Sequence, residues 1–338
     1  MWTKPVFLWI PCWVVFFLGP GALQAAQDPV QPAPPGVLVD VGGYRVHLYC
    51  TGSGSPTVVV LGAGFSFDWG LVQPAVARTT RVCTYDPSGT AWSDPPPPDP
   101  AAGASGPLAR RMPGCGQRVA ELHELLSRAS IGGPYVIVGY SIGGLYGRLY
   151  ARNYPEQVAG MVIVDHAFLD AHRVDPPPAP ATNPESKAPP EPQRRPLTLR
   201  EVDTPPVLLF QAPIELGLED DRNFQRLPQA NRDLHNWALS RAPIRPTVET
   251  AEECAAAVAA ASTRPYPLGS RPLVVISTNN ASPAYQALQA SLLELSRDHK
   301  QTIAGASTHM VIIDAPETIV TAIAEVVAAV RTHSPLQK

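Results

Sequence analysis

Short, largely apolar runs punctuate the chain at 57–61 (TVVVL), 81–85 (RVCTY), 135–140 (YVIVGY), 161–165 (MVIVD) and 272–277 (PLVVIS). β-branched residues dominate them with little polar alternation, the pattern of strands buried on both faces. Upstream, 37–41 and 44–50 flank Gly42-Gly43, the dipeptide of a tight hairpin, so two antiparallel strands are expected at one edge. Segments of helical period lie between the runs. Within 117–128, Val119, Leu122, Leu125 and Leu126 fall at helical spacing. A second such segment, 142–153, follows the 135–140 strand directly. Two more, 283–295 and 316–330, carry proline near the start, where a helix tolerates it. Strands alternating with helices predict an α/β domain, a mostly parallel sheet covered on both faces.

The alternation fails across 167–269, where prolines crowd 176–206 and charged helical pieces follow at 218–239 and 247–261. Structureless loops of that length are uncommon inside compact domains, so an inserted cap or lid is expected there. The chain then divides into a core formed by 37–166 and 270–338, interrupted by the cap. The stretch 94–107 is a further Pro-rich excursion, and no internal repeat is present.

Composition narrows the classes. A formal net charge of −3 provides no basic field for nucleic acid. With 40 prolines in 338 residues, more than twice the usual share of about 5%, the clustering points to linkers and loops. The first 26 residues read as an export signal, with Lys4 as the positive flank, an apolar stretch over 5–18, and small residues Ala25 and Ala26 at a cleavage point. A Pro-rich leader, 27–36, follows. The apolar stretch falls short of the roughly 20 residues of a membrane span and contains Pro11, so a cleaved signal is expected and a retained anchor is the alternative. No later segment is long and apolar enough to cross a bilayer. Secretion or periplasmic export implies an oxidising compartment in which cysteines pair.

The central chemical signal is Gly139-Tyr140-Ser141-Ile142-Gly143. A GxSxG pentapeptide alone is weak, but here it joins an apolar strand to an amphipathic helix, the context of a nucleophile elbow. Such a turn strains the serine backbone and sets its hydroxyl above the helix N-terminus, where dipole and free amides favour negative charge. The bland alternative is a turn serine that caps the helix. A serine hydroxyl needs a neighbouring base. His309 stands after the β-like 302–304 and before the helix from 316, where this architecture places its base. His299 precedes that strand and should point away. His47, His123, His166, His172, His235 and His333 read as surface or packing residues.

The stretches VVVLGAGFSFDW (58–69), RVCTYDPSGTAWSD (81–94), YVIVGYSIGG (135–144), MVIVD (161–165) and THMVIIDAPE (308–317) resemble the α/β-hydrolase superfamily. The likeness is to its bacterial serine esterases and lipases with a cap after strand six, and it covers 37–331 apart from the cap. It implies an eight-stranded, mostly parallel sheet. Many members carry the triad acid after strand seven, but that loop here reads Ser277-Thr278-Asn279-Asn280-Ala281-Ser282, without a carboxylate. The superfamily also places the acid at the end of strand six, which implies Asp165; the alternatives are a loop-capping role for Asp165 and the weaker candidate Asp298. The likeness implies an oxyanion hole from the amides of Ile142 and Phe65, or of Gly64 if the alignment slips by one. Asp86 matches a structural acid, with Pro87 where arginine usually follows, and reads as a capping or loop residue. Tyr140 and Trp69 read as packing residues near the pocket. The superfamily's sheet sets Cys50 opposite Cys83, within disulfide reach. Cys115 and Cys254 then either pair, tying cap to core, or remain buried thiols.

The expected function is hydrolysis of small-molecule or lipid carboxylic esters through an acyl-enzyme, with Ser141, His309 and Asp165 as triad and no cofactor. Serine rather than aspartate as nucleophile argues against epoxide hydrolase and dehalogenase chemistry. No metal-ligand spacing and no phosphate loop is present. An acyltransferase on the same triad and a non-catalytic binding protein on the same fold are the competing classes.

Overall fold

The structure, a computed structural model, describes residues 31–62, 64–97, 113–166, 218, 222–241, 248–259, 267–279, 282–305 and 307–337. Eight strands form one sheet among them: β1 (Val37–Asp40), β2 (Arg45–Thr51), β3 (Thr57–Gly62), β4 (Val82–Asp86), β5 (Tyr135–Tyr140), β6 (Val158–Val164), β7 (Leu273–Thr278) and β8 (His299–Ala304). Their spatial order is β1-β2-β4-β3-β5-β6-β7-β8. The hairpin β1-β2 is antiparallel, β2 runs antiparallel to β4, and the remaining neighbours are parallel. This is the mostly parallel sheet with an antiparallel edge that the apolar runs and the opening hairpin predict, with the eight strands that the resemblance implies. The run at 302–304 marks only the end of β8, because His299, Lys300 and Gln301 at this sheet edge are half-buried and give no apolar signal.

The apolar runs bury both faces because successive strand side chains alternate. Val59, Leu61, Ile137, Met161 and Ile163 point to one side, where Leu122 and Leu125 of α2 (Cys115–Arg128) and Leu145 and Leu149 of α3 (Gly143–Asn153) cover them. Val58, Val60, Val136, Val138, Val162 and Val164 point to the other. There α1 (Gln73–Val76) contributes Val76, and the closing helix, whose range is Pro316–Thr332, contributes Ile319, Ile323 and Val326. Burying each such side chain contributes about 1.5–3 kcal/mol, which fixes the strands' register against slippage.

Of the segment 167–269, the described part includes a turn of 3₁₀ helix at Phe224–Arg226 and two helices, α4 (Gln229–Ser240) and α5 (Val248–Ala259). The expected helical piece 218–239 is broken here because Pro228, at the N-cap of α4, cannot continue a helix from the preceding turn. Cys254, Ala255 and Val258 of α5 are buried in the same cluster as α2 and α3. Beyond β7 the order is α6 (Pro283–Leu293), β8, α7 (Val311–Asp314) and α8 (Pro316–Thr332). The signal over 1–26, residues 27–30 of the leader and the prolines of 176–206 lie outside the described residues. Among the described residues no helix is long and apolar enough to cross a membrane.

The expected Cys50–Cys83 pair is joined, and of the two alternatives for Cys115 and Cys254 the structure has the bridge. Cys50 and Cys83 are register partners across β2 and β4 with Cα atoms 4.0 Å apart. Cys115 at the start of α2 is bonded to Cys254 of α5, across 139 residues of sequence. Cross-links closing loops of these lengths contribute roughly 2–4 kcal/mol each. Reduction under native conditions should therefore lower the thermal midpoint clearly, and Cys254→Ala should lower it by itself. Unchanged melting of both the reduced protein and the variant would contradict the two bridges.

Candidate active site

Ser141 sits one residue past β5 with φ of +55°, in the left-handed region that costs a non-glycine residue about 1–2 kcal/mol. Two glycines make the bend possible. A Cβ at Gly139 would strike the backbone of Gly143, and one at Gly143 would strike the carbonyl of Leu61. The Ser141 N–H donates to the Val164 carbonyl at 3.0 Å, clipping the elbow to the end of β6. The amides of Ile142 and Gly143 open α3, where a helix has no intrahelical acceptors.

Three side chains distant in sequence meet at this edge. His309 Nε2 lies 3.0 Å from Ser141 Oγ, and its Nδ1 lies 2.6 Å from Asp165 Oδ2. The imidazole is 29% exposed, so it is reachable from solvent, whereas the Asp165 side chain is fully buried. Asp165 follows β6 directly and also has positive φ, +41°; its N–H donates to the Ile276 carbonyl at 2.7 Å. Asp298, the weaker acid candidate, instead receives the Leu336 N–H at 3.1 Å, ahead of β8 and at the far end of the parallel strands.

A buried carboxylate needs its remaining lone pairs satisfied. Asp165 Oδ1 accepts the Thr278 hydroxyl at 3.2 Å and the phenol of Tyr285. Thr278 ends β7 and Tyr285 is fully buried on α6. Thus the last residue of β7 and the first turn of α6 contribute donors to the carboxylate that follows β6. Burial, with the neighbouring Asp165 charge, pushes the Tyr285 phenol well up, so it stays protonated and donates.

The histidine's loop is fastened from three sides. Tyr140 donates its hydroxyl to the His309 carbonyl at 2.8 Å, and its ring stacks on the imidazole at 5.3 Å between centroids. Trp69 meets Tyr140 edge-on at 6.1 Å. Asp314 of α7 accepts the Thr308 N–H at 2.7 Å and the Thr308 hydroxyl at 2.8 Å on Oδ2. Its Oδ1 accepts from Asn223 at 2.7 Å. Burial pushes the Asp314 carboxyl up, but these donors outweigh it and hold the group below its usual range.

The turn after β3 differs from the expectation for Phe65. Its N–H donates to Asp68 Oδ2 at 2.7 Å, so that amide has a partner other than an oxyanion. Asp68 Oδ1 lies 2.7 Å from Nδ1 of His235 on α4, and both side chains are almost wholly buried. Burial pushes the Asp68 carboxyl up, against the His235 contact and the Phe65 N–H. Next to it, Asp86 accepts the Ser66 N–H at 2.8 Å and pairs with the fully buried His47 at 2.7 Å. Asp86 is therefore a loop-holding acid, but His47 and His235 are more than packing residues. The structure also sets His166 Nδ1 3.1 Å from the Ser141 carbonyl and stacks His123 on Tyr154. His172 lies outside the described residues.

Residues 54–322 match the alpha/beta hydrolase family. The chain belongs to this family. Solved structures share the family fold. A thermophilic esterase from Thermogutta terrifontis has TM-score 0.52 and 17% identity, over 87% of this chain and 98% of that one. A meta-cleavage product hydrolase from Pseudomonas fluorescens has TM-score 0.52 and 16% identity, over 86% and 97%. An uncharacterised protein of Schizosaccharomyces pombe is 31% identical over 151 residues, 36% of this chain and 26% of that protein. A protein of Hormonema carpetanum, named as a transporter, is 30% identical over 139 residues and matched over 18% of its length. This chain thus spans about a quarter or less of the curated relatives it matches. Membership of the family makes this an alpha/beta hydrolase fold.

Tyr285 and His235 lie outside the stretches that carry the resemblance, and Asp68 and Asp314, though inside two of them, find their distant partners only through folding. The spacing of Phe65 and Asp68 is the one local clue, since a side-chain carboxylate readily closes a turn on a backbone amide three residues away. Tyr285→Phe removes a donor from a fully buried carboxylate. It should cost about 1–3 kcal/mol of stability in urea unfolding at neutral pH. An unchanged midpoint would show that Asp165 does not depend on that phenol.

Proposed function

We propose that this protein is an exported serine hydrolase that cleaves carboxylic esters through an acyl-enzyme. The reading is carried by one observation, the imidazole of His309 within hydrogen-bond reach of the Ser141 hydroxyl on one nitrogen and of Asp165 on the other. As Ser141 Oγ attacks the ester carbonyl, His309 Nε2 takes its proton. Asp165, fixed through its second oxygen by Thr278 and Tyr285, orients the ring and stabilises the imidazolium. The same nitrogen returns the proton to the departing alkoxide, which leaves as the alcohol. Water then adds to the acyl-serine with His309 again as base, and the carboxylic acid is released.

The tetrahedral oxygen takes hydrogen bonds from the Ile142 amide at the start of α3 and from the turn after β3. With the Phe65 N–H committed to Asp68, the donor in that turn is the preceding amide, Gly64. Pre-aimed amides of this kind contribute about 3–4 kcal/mol each to the transition state. The two disulfides fit an oxidising compartment, in keeping with the export signal read at 1–26.

A series of p-nitrophenyl esters of increasing chain length, assayed with purified protein, tests the proposal. Turnover of at least part of the series is expected. Ser141→Ala should abolish it, and Asp165→Asn should lower kcat by roughly 10⁴. Release of the same nitrophenol by Ser141→Ala would rule the serine mechanism out. Preferential transfer of the acyl group to an added alcohol instead of water would recast the protein as an acyltransferase.

A further inference from the structure

Helix α4 touches the turn after β3 at two places one helical turn apart. Asn231 donates to the Phe67 carbonyl at 2.7 Å, and His235 reaches Asp68 at 2.7 Å. Residues four apart share a helix face, so α4 presents both groups to the turn together. The His235 ring is wedged between Phe65, edge-on at 5.4 Å, and Phe224, at 5.3 Å. Trp237 of the same helix packs on Trp92, which in turn meets Phe67. Asp68, the link between helix and turn, is completely buried and spends its second oxygen on the Phe65 N–H.

That hydrogen bond fixes the plane of the peptide between Gly64 and Phe65. Gly64 has φ of +91°, and Asp68 Oδ2 lies only 2.5 Å from where a Cβ would stand. A glycine at such an angle has access to much of conformational space when nothing holds its neighbours. The turn is adjacent to the elbow, since Gly143 abuts the Leu61 carbonyl and Gly62.

We propose that Asp68 and His235 are positioning residues for the oxyanion hole: the cap helix, acting through a buried histidine–carboxylate pair, sets the direction of the Gly64 amide. The hole is then complete only while α4 is docked on the turn, which couples the cap to the chemical step as well as to substrate access. This rests on the serine hydrolase reading above. His235 and Asp68 take no proton from the substrate and touch no reacting atom.

The test uses the full chain and three variants: His235→Leu, which removes the donor; His235→Asn, whose amide nitrogen replaces Nδ1; and Asp68→Asn. For each, kcat and KM are measured on p-nitrophenyl butyrate, together with the inhibition constant of phenylboronic acid, whose serine adduct places a tetrahedral oxygen in the hole. Misaiming one donor should lower kcat for His235→Leu by about 10- to 100-fold with KM within about twofold. Boronate affinity should fall by a matching factor, and His235→Asn should recover most of both. Should His235→Leu fail to fold, Asp68→Asn is read in the same way, with paired losses in kcat and boronate affinity. A folded His235→Leu or Asp68→Asn with wild-type kcat overturns the inference and leaves the serine hydrolase intact. So does a change in KM alone, or a fall in kcat with unchanged boronate affinity. Wild-type protein that neither turns over esters nor binds the boronate overturns the hydrolase reading, and this inference with it.

Discussion

Strands β5, β6 and β8 run parallel, so residues just beyond their carboxyl ends emerge along one edge of the sheet. Ser141 and Asp165 are each the first residue past their strand, and His309 lies five residues past the third. The assembly depends on that shared direction. It also depends on two left-handed residues, Ser141 and Asp165, whose backbone amides donate to the carbonyl that ends or nearly ends the neighbouring strand. Strain of this kind persists only when the surroundings over-determine it. Here the surroundings are fully buried valines and isoleucines on both faces of the sheet.

The carboxylate beside His309 follows β6 and has no access to water. Thr278 at the end of β7 and Tyr285 on α6 support it. The result is a chain of contacts from α6 through Asp165 and His309 to Ser141. A similar economy holds the turn after β3, where two carboxylates, each backed by a buried histidine, accept the consecutive amides of Phe65 and Ser66. Carboxylates at both places are held by groups from other elements, so the geometry of the site belongs to the whole domain.

What the sequence made legible follows from how local each signal is. Strands buried on both faces announce themselves as β-branched runs, and the elbow announces itself because Gly139 and Gly143 have no side chain to clash. Chain order selects His309 among eight histidines, since only it lies between the last strand and the closing helix. By contrast, β8 begins with His299, Lys300 and Gln301, half-buried polar residues that break the pattern although their backbone pairs with β7. The partners of Asp165 and Asp68 lie 120 and 167 residues away, a distance over which no periodicity carries information. The commitment of the Phe65 amide leaves one local clue, the carboxylate three residues on, but the peptide orientation that decides it is not specified by the letters G-A-G-F.

The central claim is that His309 makes Ser141 a nucleophile. Labelling with a fluorophosphonate at neutral pH, followed by mass mapping of the modified peptide, tests it most directly. Modification at Ser141 is expected in the wild type, with loss of nearly all labelling in His309→Ala. Labelling of His309→Ala at the wild-type rate, or modification confined to another residue, would contradict it.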